Sequence, residues 1–477
     1  MDLDELERYL GSGTRCHLVG IGGVSMSPLA EFLRGMGVEV SGSDVSDSPA
    51  IARLRDAGFE ITIGHYKRNV RGAGFLIRSA AAREDNVEII AAREQGIPVF
   101  ERAQAFGHIM RGYKDAVCVS GVHGKTTTTS MITHILLAAN ADPTIMVGGT
   151  LPILGCGYRV GKGDVIALES DEYYNSFLSF FPTVAVVLNV DADHLDFFND
   201  LDDIKSSFRQ FASLVPPHGH IICNGDDSDT MEALSPLGRE LLTFGFEEGA
   251  SVRGVDICPA GRNPSMRVLY DGNHFCDLTL NVPGVHNLKN ALAATCVAIA
   301  LGLPPEVITG GLFSFEGVGR RLEYKGELNG AHVYDDYAHH PSELHATLDA
   351  ISMLDYERVI LAFQPHTFSR TKALFPDFVR ELSRPDVTFL AEIYAAREKN
   401  DRTISSRALA DAIPGAHYRA TFPEIADDIA AIAREGDIVL TVGAGDVYKI
   451  GEALVDYESD NALRAQMYSG KHDSGRP

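Results

Sequence analysis

Gly121, Gly124, Lys125 and Thr126 stand in the spacing G-x-x-G-K-T, between an apolar run at 116–120 and a helix-patterned stretch, KTTTTSMITHIL. In a strand–loop–helix unit of this kind the glycines let backbone amides face an anion, and the helix N-terminus adds partial positive charge. The chemistry this predicts is the grip of a nucleoside triphosphate. Gly121, Val122, His123 and Gly124 would line it with backbone, Lys125 would neutralise the outer phosphates, and Thr126 would offer its hydroxyl to a metal ion, with Thr127 beside it. The loop is shorter between its glycines than G-x-x-x-x-G-K-[ST], so it is not the loop of a generic nucleotide hydrolase. A merely structural glycine turn is the competing reading.

Two further groups fall at strand ends. Glu169 closes an apolar run at 165–169, and His194 follows another at 184–189, within LNVDADHLDFF. Side chains at the carboxyl ends of adjacent parallel strands converge on one crevice. Glu169 and His194, with Thr126, are therefore candidate ligands of one or two Mg²⁺ ions. A histidine is unusual on a hard cation that prefers oxygen, and a histidine in a capped loop is the bland alternative.

A second glycine loop, GIGGVSM at 20–26, follows the first apolar run and precedes a helical pattern starting near Ser27 and Pro28. Gly20, Gly22 and Gly23 permit a tight turn against a phosphate, and Asp44 ends the next strand, about twenty residues on, where an acid often meets a ribose. Ser25 replaces the last glycine of the dinucleotide fingerprint. A ligand-free turn and a nicotinamide dehydrogenase both compete with a nucleotide-sugar site here.

These loops need strands to hold them. Strand-length apolar runs alternate with helical patterns along the whole chain, which predicts an α/β fold with parallel sheets covered by helices. Strands are expected at 16–20, 39–43 and 74–79; at 116–120, 165–169, 184–189 and 220–224; and at 333–336, 359–364, 387–392 and 438–442. The grouping predicts three domains, Rossmann-like at both ends with a P-loop domain between them: 1–112, 113–321 and 322–467, with a polar tail at 468–477. Residues 254–277 read as a polar strand or hairpin insertion in the second domain, not as a repeat.

At 477 residues the chain is long enough for several cores, and its 45% hydrophobic and 22% charged residues are those of a folded protein. A net charge of -23, from 42 basic and 65 acidic residues, argues against nucleic acid or an anionic membrane as partner. The seven cysteines show no C-x-x-C pair and read as free, mostly buried thiols in a reducing compartment. The N-terminus, MDLDELERYL, lacks a signal-peptide pattern, and the longest apolar stretch, 291–303, is too short to span a bilayer; a cytoplasmic enzyme is expected.

The ordered series GVHGKTTTT, Glu169 with His194, GVHNLKNALAA, GRRLE, DDYAHHP and FQPHTFSRT resembles the Mur ligases, over nearly the whole chain. The resemblance is nearest to the members that join L-alanine to UDP-N-acetylmuramate. It implies an ATP- and Mg²⁺-dependent ligase of peptidoglycan precursor synthesis, working through an acyl phosphate, as a monomer or weak homodimer. The first domain would hold the UDP-sugar, the second ATP, and the third would bring the amino acid.

By the same resemblance Gly22, Gly23, Ser25 and Met26 face the UDP group, with Asp44, His65 and Ser79 as further partners. His286, Asn287 and Asn290 recognise adenine, Arg321 reaches the γ-phosphate, and Asp336 approaches the nucleotide. His339 and His366 lie near the reacting groups, His339 as the candidate base for the incoming amine. Arg370 binds the amino-acid carboxylate; Thr367 stands where many relatives have a second arginine. Some relatives carry a carbamylated lysine about fifteen residues after the metal-binding histidine, and Arg209 occupies that place here, so none is expected. A relative that joins a preformed peptide to the same sugar is the nearest alternative. A regulatory nucleotide-binding protein without chemistry is the distant one.

Overall fold

The computed structural model describes residues 6–456, apart from 11, 12, 80, 195, 196, 260, 262, 397 and 399–402; the expected polar tail lies outside the described residues. Three sheets form. Two belong to one compact unit (Met1–Asp256, Met266–Leu278, Lys289–Phe315), and the third to another (Ile257–Ser265, Thr279–Leu288, Glu316–Pro477).

The first sheet comprises β1 (Arg15–Val19), β2 (Glu39–Asp44), β3 (Glu60–Ile63), β4 (Phe75–Arg78) and β5 (Val99–Glu101), in the order β3-β2-β1-β4-β5 and wholly parallel. Helix Met26–Gly35 buries Met26, Leu29, Ala30, Phe32 and Leu33, a spacing that gives it one apolar face. Strand order reverses beside β1, so the loop that follows β1 opens into the crevice at the switch point.

The second sheet contains β6 (Asp115–Ser120), β7 (Thr144–Leu151), β8 (Cys156–Arg159), β9 (Val165–Glu169), β10 (Val184–Val187), β11 (His220–Asn224), β12 (Leu241–Gly245), β13 (Val252–Cys258), β14 (Ser265–Tyr270) and β15 (Asn273–Thr279). Their order is β15-β14-β13-β12-β11-β10-β6-β9-β7-β8. Since β6 lies between β9 and β10 and runs parallel to both, the three carboxyl ends are neighbours. The expected insertion at 254–277 extends one edge of this sheet as β13 to β15, with buried Cys276 and Leu278 alternating with exposed Asp277 and Thr279 along β15.

The first two sheets share an apolar core. Phe106 and Ile109 of helix Arg102–Met110 belong to the same buried cluster as Phe177, Phe208 and Phe211. Complete burial of each phenylalanine contributes roughly 2–3 kcal/mol. A Cβ on Gly107 would lie 1.9 Å from the Ser179 carbonyl oxygen, so this packing requires glycine.

In the other unit the strands are β16 (Glu323–Leu328), β17 (Ala331–Asp336), β18 (Arg358–Phe363), β19 (Val387–Leu390), β20 (His417–Tyr418) and β21 (Asp437–Val442), in the order β16-β17-β21-β18-β19-β20. All pairs are parallel except the β16–β17 hairpin. Asn329 and Gly330 turn that hairpin with φ of 51° and 81°, the backbone a tight primed turn needs. Asp336 and Phe363 both register with Val442, which sets the loops after β17 and β18 on either side of β21. Among the described residues no helix is long and apolar enough to cross a membrane.

Candidate active site

The loop after β6 is held from several sides. Gly121 has a φ of 138° and Gly124 one of 84°, and a Cβ on Gly124 would lie 2.8 Å from Asn290 Oδ1. Asn189, just past β10, accepts from His123 N at 2.9 Å and donates to His123 O at 3.0 Å. Helix Lys125–Ala138 begins immediately after Gly124, so Lys125, Thr126 and Thr127 form its first turn, where amides lack partners within the helix. The Lys125 ammonium folds back to donate to Gly121 O at 2.6 Å and to both Glu172 oxygens, at 2.8 and 3.2 Å.

Glu172 is only 2% exposed. Burial opposes the Lys125 charge, but the carboxylates of Glu172, Asp171 and Glu169 outweigh it and hold the ammonium above the ordinary lysine range. Burial likewise pushes the Glu172 carboxyl up, against the pull of Lys125. His194 Nε2 lies 3.9 Å from Glu172 Oε1, and its ring stacks on Tyr173 with centroids 4.3 Å apart.

Ligand atoms of Asp171, Glu172 and His194 lie within 4.8 Å of one another, and two carboxylates with one imidazole suit a divalent cation. Of the residues expected to hold metal, His194 is in this group. Glu169, at the end of β9, turns its Oε1 to Gly148 N at 2.6 Å, and Thr126 is on the helix. Asp171 and Glu172 were missed in the sequence, although acids two and three residues past a strand-end Glu are themselves a signal.

In the first sheet Gly22 N donates to Asp44 Oδ2 at 2.9 Å, so Asp44 closes the glycine loop it faces. A Cβ on Gly22 would meet Ile51 at 2.8 Å. The Met26 side chain is buried in the core and leaves only its backbone to face the loop. Ser79 packs across Gly20, where a Cβ would come 3.0 Å from its own. Ser25 Oγ accepts from Arg102 at 2.6 Å, a cation the motif did not reveal because it lies 77 residues away. His65 Nδ1 is 2.9 Å from Glu88 Oε2 and 3.1 Å from Ser43 Oγ. Glu88 is buried; although burial opposes its charge, hydrogen bonds from His17, Ser43 and Asn69 hold its carboxyl at about 2.

His286, Asn287 and Asn290 lie on the first turns of helix Val285–Ala300. Asn287 Nδ2 donates to Pro283 O at 2.7 Å, whereas the Asn290 amide adjoins Gly124. Burial, reinforced by Arg321, pushes His286 down to about 4.

In the unit holding the third sheet, Asp336 ends β17 and is 6% exposed; its Oδ2 accepts from Leu322 N at 2.7 Å and its Oδ1 from Ala338 N at 2.8 Å. Burial pushes its carboxyl up to about 6, with Arg321 pulling the other way. Arg321 NH1 is 3.6 Å from Glu343, which also accepts from His339 N at 3.0 Å. Glu343 caps helix Pro341–Ser352, and its place four residues after His339 was the signal that could have found it.

His339 Nδ1 is 3.0 Å from Tyr337 O. A carbonyl only accepts, so Nδ1 carries the proton and Nε2 keeps a lone pair. Burial lowers the imidazole to about 4, and Arg370 and His366 help against Glu343. The His366 ring lies 5.6 Å from that of His339 and stacks on Tyr394. Arg370 NH1 donates to His366 O at 2.8 Å and lies 3.2 Å from its Nδ1. Thr367 donates to Glu398 at 2.5 Å. The structure thus gathers Asp336, His339, His366, Arg321 and Arg370 around the ends of β17 and β18.

The Mur ligase middle domain model matches residues 119–298, the Mur ligase family catalytic domain model 15–114, and the Mur ligase glutamate ligase domain model 320–445. A UDP-N-acetylmuramate--L-alanine ligase of Clostridium botulinum (strain Langeland) is 43% identical, over 92% of this chain and 97% of that protein. The chain belongs to the Mur ligase family. A second relative of that name, from Caldanaerobacter subterraneus subsp. tengcongensis, is 43% identical over 96% of this chain and 99% of its own. Among solved Mur ligases, UDP-N-acetylmuramate-alanine ligase MurC from Thermotoga maritima has a TM-score of 0.80 at 28% identity, covering 94% of this chain and 100% of that one. A murein peptide ligase from Psychrobacter arcticus, at 22% identity and a TM-score of 0.69, shares the Mur ligase fold. The three-domain α/β expectation therefore holds for this chain.

Proposed function

We propose that this chain ligates L-alanine to the carboxylate of UDP-N-acetylmuramate, using ATP, in peptidoglycan precursor synthesis. The observation that carries the reading is 43% identity to ligases of that name, sustained over nearly the whole length of both chains. The domain boundaries proposed are those at 112 and 321.

In the first half-reaction the muramoyl carboxylate attacks the γ-phosphate of ATP, giving an acyl phosphate and ADP. Two anions must be brought together, so positive charge and alignment are the catalytic need. Gly121, Val122, His123, Gly124, Thr126 and Thr127 grip the phosphates, Lys125 and Arg321 neutralise them, and His286, Asn287 and Asn290 take the adenine. Asp336 orients the nucleotide end of the site. Thr126, Glu169 and His194, with the neighbouring Asp171 and Glu172 carboxylates, would hold Mg²⁺, which would supply charge neutralisation at the phosphates. The UDP group rests on Gly22, Gly23, Ser25 and Met26, with Asp44, His65 and Ser79 beside it.

In the second half-reaction the alanine amine attacks the acyl carbon and phosphate leaves. Arg370 pairs with the amino-acid carboxylate. An ammonium is no nucleophile, and His339, with Nδ1 turned to the Tyr337 carbonyl and Nε2 left with its lone pair, would take the amine proton as the C–N bond forms and that proton becomes acidic; His366 borders it. We place the enzyme in the cytoplasm as a monomer or weak homodimer, with small-molecule substrates and neither nucleic acid nor membrane as partner.

The test is phosphate release with ATP, Mg²⁺ and UDP-N-acetylmuramate, varied over amino acids and short peptides. Turnover highest with L-alanine supports the reading; turnover with a tripeptide and none with alanine would replace it with the peptide-joining alternative.

A further inference from the structure

We propose that Glu172 is the resting counter-ion of Lys125 and makes binding of the nucleotide depend on an accompanying divalent cation. This rests on the assignment of loop 121–126 to the ATP phosphates. The Lys125 ammonium, which must serve those phosphates, is already committed: it donates to Gly121 O at 2.6 Å and to Glu172 at 2.8 and 3.2 Å. Glu172 cannot swing into solvent to release it, being 2% exposed.

Asp171 and Glu169 act on the same ammonium, so Lys125 faces three carboxylates, of which Asp171 is shared with Arg102. A polyphosphate arriving alone meets net negative charge. To bond Lys125 it must also strip a buried carboxylate of its partner, and a buried charge left uncompensated is strongly unfavourable. A divalent cation arriving with the phosphates removes both penalties by screening Glu172 as Lys125 turns away.

Neutralising Glu172 should uncouple the two requirements. Glu172→Gln keeps the shape and one acceptor for Lys125 but removes the competing charge. Its affinity for ATP in excess EDTA, measured by calorimetry, is expected to exceed that of the wild type by roughly tenfold or more, and the gain on adding Mg²⁺ should shrink correspondingly. A purely structural role for Glu172 would weaken metal-free binding or leave it unchanged, and either result overturns the proposal. Glu172→Asp retains the charge and should keep the wild-type dependence on Mg²⁺; if it binds metal-free ATP as tightly as the Gln variant, charge is not the cause and the proposal falls. Lys125→Ala separates the underlying assignment: undiminished MgATP affinity in that variant would reject the loop itself.

Discussion

The Asn189 side-chain amide brackets the His123 peptide, accepting from its N–H at 2.9 Å and donating to its carbonyl at 3.0 Å. The strand β10 thus pins the middle of the loop that follows its neighbour β6. Two hydrogen bonds of this kind contribute about 1–3 kcal/mol together. Asn189→Ala is expected to weaken MgATP binding about tenfold while leaving UDP-N-acetylmuramate affinity unchanged. Calorimetry with each ligand checks it, and equal losses for both would point to general unfolding.

Lys125→Ala should abolish phosphate release, by about 10³-fold or more, because the transferring phosphoryl group loses its buried cation. UDP-sugar binding should persist, since loop 20–26 belongs to another sheet. Normal turnover by the variant would remove Lys125 from the reaction.

Arg370 is the proposed anchor of the amino-acid carboxylate. A charge-assisted bidentate pair contributes roughly 2–3 kcal/mol, so Arg370→Ala should raise the KM for L-alanine about a hundredfold and leave that for ATP near its starting value. Arg370→Lys should recover only part of it, since an ammonium cannot reproduce the guanidinium fork. An unchanged KM for alanine in the Ala variant would end the assignment.

The pH dependence follows from His339, which sits at about 4. Its folded value is depressed below the ordinary histidine value of about 6.5, so between those limits the unfolded chain binds more protons. Its contribution to stability is therefore full above pH ~6.5 and lost as pH falls toward 4. Asp336, raised to about 6, has the opposite sign, favouring the folded state increasingly as pH falls through 6. His339→Gln should flatten the acid loss of Tm between pH 6.5 and 4, and should lower kcat more than the KM for alanine. An unaltered Tm slope would contradict the buried neutral imidazole.

The DDYAHHP and FQPHTFSRT segments were legible through their resemblance to the Mur ligases, whereas the G-x-x-G-K-T loop and the strand-end Glu169 and His194 were legible because each follows an apolar run that is read from local pattern alone. The buried parallel strands at the sheet centres were legible for the same reason. Of the strands missed, β3, β5, β8, β16 and β20 lie at sheet edges and β7 lies beside one, while β12 lies inside the second sheet but is only half buried along Leu241–Thr243. Half-exposed edges carry weak hydrophobic pattern, so their residues do not announce a strand. The expected strands at 184–189 and 387–392 end early, at Val187 and Leu390. Past that point the backbone leaves the ladder, and Asn189 turns to hold His123.

By itself the sequence determined which chemical groups this protein owns: a lysine and hydroxyls in a glycine loop, acids and histidines at strand ends, and an arginine four residues after a histidine. Only the tertiary structure decided who faces whom. That Lys125 rests on Glu172, 47 residues on, that Arg102 reaches Ser25 across 77, and that Arg370 leans on His366 beside His339 follow from strand order and burial. Strand order is a non-local choice, made by packing apolar faces against one another. Burial then sets how strongly each charge is felt, which no local spacing encodes.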